Sequence, residues 1–211
     1  MELPVCEVYP TVQGEGLLVG TPVTLIRFQG CNIYCAWCDT KYAIPFKEEV
    51  KIPLEEVLKK VRSFKRDAVL ITGGEPLAHP EVVPLIESLL REDYFVQLET
   101  NGTLWRKELE RFPKDRVYVS LSPKYSVDYR VHPGAVARAD ELKMVVDENL
   151  TLEVLKRPEF LPFARNGRLV LQPEGNRKEM VRKGLKLLDD LLKEGLKARL
   201  IPQVHKLVGL P

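Results

Sequence analysis

Long apolar runs and a charge imbalance are what this 211-residue chain lacks, and it has only 3 histidines. No stretch approaches the ~20 apolar residues of a membrane-spanning helix, which argues against a membrane role. The opening residues MELPVCEVYP carry neither the basic nor the apolar region of a signal peptide, so the cytoplasm is the expected compartment. Internal repeats, low-complexity tracts and long linkers are also missing, and a single domain over residues 1–211 is expected. The 32 Lys and Arg nearly cancel the 30 Asp and Glu, leaving a net charge of +2. Because the basic residues are scattered, no nucleic-acid surface is indicated.

What is present is an alternation of short β-branched runs with helical patterns, the signature of βα units and a mostly parallel sheet. Strands are predicted at Val23–Phe28, Ala68–Thr72, Tyr94–Leu98, Val117–Leu121, Glu141–Val146 and Arg168–Leu171, with a last short one at Ala198–Ile201. Leu54, Val57, Leu58 and Val61 keep the spacing of an amphipathic helix, with Pro53 placed in its first turn. Further helices are predicted from about Glu81 and over Arg177–Lys193. Nearly every unusual cluster follows the carboxyl end of a strand: the cysteines, then GGEP, ETNG, SPK and QPEG. In β/α folds the loops at that face build the active site. About six mainly parallel strands are too few for a closed barrel, so the expected fold is α/β, a partial (β/α) barrel with its site at the C-terminal strand ends.

Of the 4 cysteines, three fall in the stretch CNIYCAWCDT as Cys31, Cys35 and Cys38. Core packing would scatter them, and in a reducing compartment such a cluster points to metal rather than to disulfide. Thiolates favour a soft centre, and three of them leave one position open. Structural zinc needs a fourth ligand, which here could only be Cys6, His79, His132 or His205, none at finger spacing. An iron–sulfur cluster is the other reading. Cys6, on an edge segment, reads as a small buried residue, and His79 and His132, each beside a proline, as loop residues.

C-x3-C-x2-C with Trp37 before the third cysteine resembles the signature of the radical S-adenosylmethionine enzymes, and Gly73-Gly74-Glu75-Pro76 resembles their GGEP motif. A narrower resemblance, to the 7-carboxy-7-deazaguanine synthase family, covers nearly the whole chain. It is carried by Thr11–Gly16, Arg27, Cys38-Asp39-Thr40, Glu99–Gly102, Ser122–Lys124 and the ending Gln203–Pro211. The resemblance implies a 4Fe–4S cluster on Cys31, Cys35 and Cys38, S-adenosylmethionine, and Mg²⁺ on Thr40. The implied reaction is ring contraction of 6-carboxy-5,6,7,8-tetrahydropterin with loss of ammonia. A flavodoxin or ferredoxin is the implied electron donor, and a homodimer the implied assembly.

By the same resemblance, Val12, Gln13, Gly14, Glu15, Arg27, Thr72, His205 and Pro211 would meet the substrate. Trp37, Cys38, Asp39, Gly73, Gly74, Glu99, Asn101, Ser122, Pro123, Lys124, Gln172, Pro173, Glu174 and Gly175 would meet the cofactor. Plainer readings stand beside several of these. Thr40 could be a turn residue, ETNG an ordinary β-turn, and Arg27 half of a structural salt bridge, since a mid-strand arginine is seldom buried unpaired. Lys143 could face a carboxylate at the barrel mouth or simply be a solvated strand-end lysine. A small activase that makes a glycyl radical on a partner protein is the rival enzyme, and a zinc-binding interaction module the rival of another class.

Overall fold

The β-branched runs pair in the order in which they occur. In the computed structural model, which describes residues 1–210, the strands are β1 (Glu2–Leu3), β2 (Val5–Val12), β3 (Pro22–Phe28), β4 (Ile52–Pro53), β5 (Ala68–Gly73), β6 (Phe95–Thr100), β7 (Val117–Leu121), β8 (Glu141–Val146), β9 (Leu169–Pro173) and β10 (Ala198–Leu200). The helices are α1 (Leu54–Phe64), α2 (Val82–Arg91), α3 (Pro133–Arg138), α4 (Leu152–Leu155), α5 (Leu161–Arg165), α6 (Lys178–Lys193) and α7 (Val204–Leu207). One eight-stranded sheet runs β10-β9-β8-β7-β6-β5-β3-β2, and β1 and β4 form a small separate ladder. Seven strands of the large sheet are parallel, while β2 adds antiparallel to β3.

Each parallel strand lies beside its predecessor, so right-handed crossovers put the helices on one side and curl the sheet around the other. Ile26, Phe28, Val69, Ile71, Leu98 and Met144 share one buried cluster with Val61 of α1, Ile86 of α2 and Leu191 of α6. Sheet residues one position out of phase face the concave side. At its lower end Val23, Leu25, Ala68 and Leu70 form a small apolar plug. Toward the strand ends the same face turns polar, through Thr72, Gln97, Glu99, Ser120, Glu141 and Lys143.

Two expectations need adjusting. The sheet holds eight strands rather than about six, because β2 extends the edge and β10 counts as a member. It stays open, since β2 and β10 end the strand order without pairing with each other. Pro53 is not inside the first helical turn; it caps α1 with φ −54° and ψ 136° while pairing with Glu2.

Candidate active site

The cysteine loop hangs from a two-rung neck. Gly30 N–H donates to the Ala43 carbonyl at 2.8 Å, and Cys31 N–H to that of Ile44 at 2.9 Å. GGEP locks this neck from beneath, with Glu75 N–H on the Gly30 carbonyl at 2.8 Å and Gly74 N–H on that of Phe28 at 3.0 Å. A side chain on Gly74 would put its Cβ 2.1 Å from the Gly30 carbonyl oxygen and 2.7 Å from that of Ala43. Only glycine allows this approach. Glu75 is itself buried, accepting from Leu77 N–H (3.0 Å), Thr100 Oγ1 (2.7 Å) and Asn101 N–H (2.7 Å). Burial pushes its carboxyl up, against these donors. Asn101 then donates to Asn32 in the loop at 3.0 Å.

All four cysteines are free thiols, and Cys31, Cys35 and Cys38 line one cleft of about 1040 Å³ of open space, its mouth included. Burial pushes the Cys31 thiol up to about 11, with Glu75 and the other two thiols adding to the effect. Cys38 Sγ lies 3.6 Å from Thr40 Oγ1, and Cys35 Sγ 3.6 Å from Ser126 Oγ. Among the described residues no three His, Cys, Asp or Glu side chains converge on a single-ion position. The zinc reading therefore gains nothing, whereas three free thiols facing one cleft suit the donor set of an iron–sulfur cluster. Trp37 is fixed by Asp147, to which its Nε1 donates at 3.1 Å, and Lys124 Nζ sits 5.8 Å from the Trp37 ring.

The opposite part of the cleft is ionic. Lys143 Nζ donates to Glu15 Oε2 at 2.5 Å and to Glu99 Oε1 at 2.8 Å. Thr72 Oγ1 reaches Glu99 Oε2 at 2.9 Å, and Gln203 Nε2 spans Glu15 (2.8 Å) and Asp39 (3.2 Å). Lys206 holds Asp39 at 2.6 Å. Burial alone would raise the Glu15 carboxyl, but Lys143 and Gln203 outweigh it and hold it below the usual range. Asp39 is likewise lowered, by Lys206 against its burial. Glu141 receives Leu17 N–H, Tyr118 and Ser120 against Gly16, anchoring the loop that carries Glu15.

The model of the radical SAM superfamily matches residues 25–133. A 7-carboxy-7-deazaguanine synthase of Aquifex aeolicus is 50% identical over 97% of this chain and 92% of its own length. The chain belongs to the 7-carboxy-7-deazaguanine synthase family. A Rickettsia prowazekii synthase is 32% identical over 99% of this chain and 89% of its own. The crystal structure of QueE from Escherichia coli superposes with TM-score 0.76 at 27% identity, covering 97% of this chain and 95% of that one. A TYW1 structure at 16% identity and TM-score 0.52 shares the fold. The enzymes of this radical SAM superfamily work with a 4Fe–4S cluster and S-adenosylmethionine, which is the chemistry the three thiols suit.

Of the residues expected from this family's pattern, Glu15, Trp37, Asp39, Thr40, Thr72, Gly73, Gly74, Glu99, Asn101, Ser122, Lys124, Gln172, Glu174 and Gly175 line the cleft with the three cysteines. Val12, Gln13, Gly14, Pro123, Pro173 and His205 are not part of that lining. Gln13 accepts from Glu15 N–H at 3.1 Å and donates to Gln97 at 3.1 Å. His205 packs where a Gly14 side chain would be, with Val204 N–H on the Gly14 carbonyl at 2.9 Å. Pro211 lies outside the described residues. Arg27 lies off this lining, its guanidinium paired with Glu7 at 2.5 Å and with Tyr9 at 3.2 Å. Cys6 Sγ points to the Arg27 carbonyl, on the β2 edge. Sequence reasoning left Lys143 undecided and gave no role to Gln203, Lys206 or the Glu75 side chain. For Lys143 the signal was its place at period two from Glu141 on a strand with no exposed residue.

Proposed function

We propose that this cleft converts 6-carboxy-5,6,7,8-tetrahydropterin to 7-carboxy-7-deazaguanine with loss of ammonia. The observation that carries this reading is the joining, in one cleft, of three free thiols on one wall to a hydrogen-bonding floor built from Glu15, Thr72 and Glu99. The family relationship supplies the reaction. When bound, the cluster and S-adenosylmethionine supply a carbon-centred radical able to abstract a substrate hydrogen.

The chain's own groups bind and orient. Cys31, Cys35 and Cys38 would hold the cluster. The main chain of Gly73 and Gly74, with Trp37, Asn101, Ser122, Lys124 and Gln172–Gly175, would hold the cofactor. Thr40 would hold Mg²⁺, an ion that keeps several waters and takes few protein ligands. Glu15, fixed from behind by Gln13, and Thr72 would read the amide-and-amino edge of the pterin. A reduced flavodoxin or ferredoxin as donor, a homodimer, and one domain over the whole chain complete the reading by family likeness. No helix of the described chain is long and apolar enough to cross a membrane.

The test is anaerobic incubation with the carboxytetrahydropterin, S-adenosylmethionine, Mg²⁺ and a strong reductant, followed by mass spectrometry. Carboxydeazaguanine is the expected product. Cofactor cleavage without it would point to another radical enzyme, such as a small activase.

A further inference from the structure

Lys143 is the charged group that the family's pattern leaves without a task. It rises from the concave face of β8 with a side chain only 4% exposed, in the floor of the cleft. Its ammonium joins a carboxylate from the loop after β2, Glu15, to one from the end of β6, Glu99. The far oxygen of each carboxylate takes one neutral donor, Gln203 Nε2 on Glu15 and Thr72 Oγ1 on Glu99. A carboxylate accepts about four hydrogen bonds, so both retain lone pairs toward the cleft they line.

We propose that Lys143 is a positioning residue that locks the Glu15 and Glu99 carboxylates as a paired acceptor for the N–H-bearing edge of the substrate heterocycle. The inference rests on the pterin reading above and moves Glu99 from the cofactor's side of the cleft to the substrate's. Two carboxylates in one buried floor repel and cost desolvation energy unless a cation lies between them. A cyclic guanidine-type edge, with its amino and ring N–H groups, matches two fixed acceptors. A ligand edge bearing acceptors would meet them lone pair to lone pair.

The neighbours define what happens without the ammonium. Glu141 faces Lys143 from the same strand, and Lys124 from the loop after β7. His205 and Asp39 face Glu15. Lys124 Nζ donates to Ser122 Oγ and to neither carboxylate, so Lys143 is the cation that bridges the pair. Without Lys143, the Glu15 carboxylate loses the cation that favours its charged form and should take up a proton more readily. Pterin affinity would then fall with falling pH.

The experiment is an anaerobic equilibrium titration of 6-carboxytetrahydropterin into holoenzyme carrying S-adenosylmethionine, without reductant so that no turnover occurs. Lys143→Met should bind the pterin about tenfold or more weakly, the scale of hydrogen bonds to charged groups. The loss should deepen from pH 8.5 to pH 6, where wild type is flat. S-Adenosylmethionine affinity should stay within twofold, and Lys143→Arg should restore most of the pterin affinity and the flat profile. Glu99→Gln serves if the Met variant does not fold, with the pterin weakened and the cofactor untouched. Wild-type pterin affinity in Lys143→Met overturns the proposal. So does a pH-independent loss that Arg does not rescue, or an equal loss of cofactor binding in Glu99→Gln. Wild-type holoenzyme that fails to bind the pterin at all would instead overturn the substrate reading itself.

Discussion

Replacing Glu75 with Gln tests whether the GGEP carboxylate is the hub that joins the cysteine loop to the ETNG turn. The side chain is buried, and its two oxygens serve three donors: Leu77 N–H and Thr100 Oγ1 on Oε1, Asn101 N–H on Oε2. Glutamine has the same shape but turns one oxygen into a donor, so in either orientation a buried N–H faces an N–H. The cost of leaving a buried donor unpaired is about 1–3 kcal/mol, and the surviving bonds weaken on losing their charge. Neutralising a carboxyl that burial already pushes up returns part of this. The net expectation is about 2 kcal/mol, which for a chain of this length lowers Tm by ~4–8 °C. Thermal unfolding of the reduced, cluster-free protein measures it, and hydrogen exchange should show lost protection at Leu77 and Asn101. A Tm within ~1 °C of wild type, with both amides still protected, would refute the hub.

Other outcomes follow from the same geometry. Gly74→Ala must displace the neck of the cysteine loop, since its Cβ would meet two main-chain carbonyls at 2.1 and 2.7 Å; overpacking of this kind costs ~1–3 kcal/mol. Faster amide exchange at Gly30 and Cys31 and easier proteolysis within residues 31–43 are expected, and unchanged exchange would contradict the close packing. Lys206→Met removes a half-exposed ion pair with Asp39, so it should change unfolding free energy by less than ~1 kcal/mol; a larger loss in urea titration would mean that the C-terminal turn supports the fold. For Glu15 the sign runs as for any lowered carboxyl: its stabilising contribution is complete above the ordinary value of 4.5 and is lost as pH falls toward the folded value. The stability advantage of wild type over Glu15→Gln should accordingly shrink in urea titrations below pH 4.5, and a constant difference would contradict the Lys143 pairing.

Much of the sheet was legible because parallel strands buried on one face by helices and on the other by a plug read as apolar runs. Val117–Leu121 and Glu141–Val146 occur with the boundaries expected of them. The mouth of the fold was legible for a different reason: glycines, cysteines and carboxylates cluster where strands end. The short helices α3, α4 and α5 left no periodic signal, being 4–6 residues long. Long-range pairing was the harder part. The Glu7 partner of Arg27 comes into view only when β2 is laid antiparallel on β3, which puts the two residues opposite each other. Lys143 could not be placed from its own neighbourhood, because its partners lie 128 and 44 residues away. Gln203 and Lys206 reach Asp39 only after the chain has returned across the open edge of the sheet.

In the reading proposed above, the cysteine wall and the carboxylate floor serve one ring contraction, and the family resemblance implies that S-adenosylmethionine is regenerated in it rather than consumed. The direct measurement supplies the reconstituted enzyme with the carboxytetrahydropterin in excess, Mg²⁺, reductant and S-adenosylmethionine at well below the substrate concentration. It counts carboxydeazaguanine, ammonia and 5′-deoxyadenosine. One ammonia per carboxydeazaguanine is expected, with product in excess over the cofactor supplied, and no product when Cys31, Cys35 or Cys38 is alanine. Accumulation of 5′-deoxyadenosine in step with cofactor loss, with the pterin recovered intact, would contradict it.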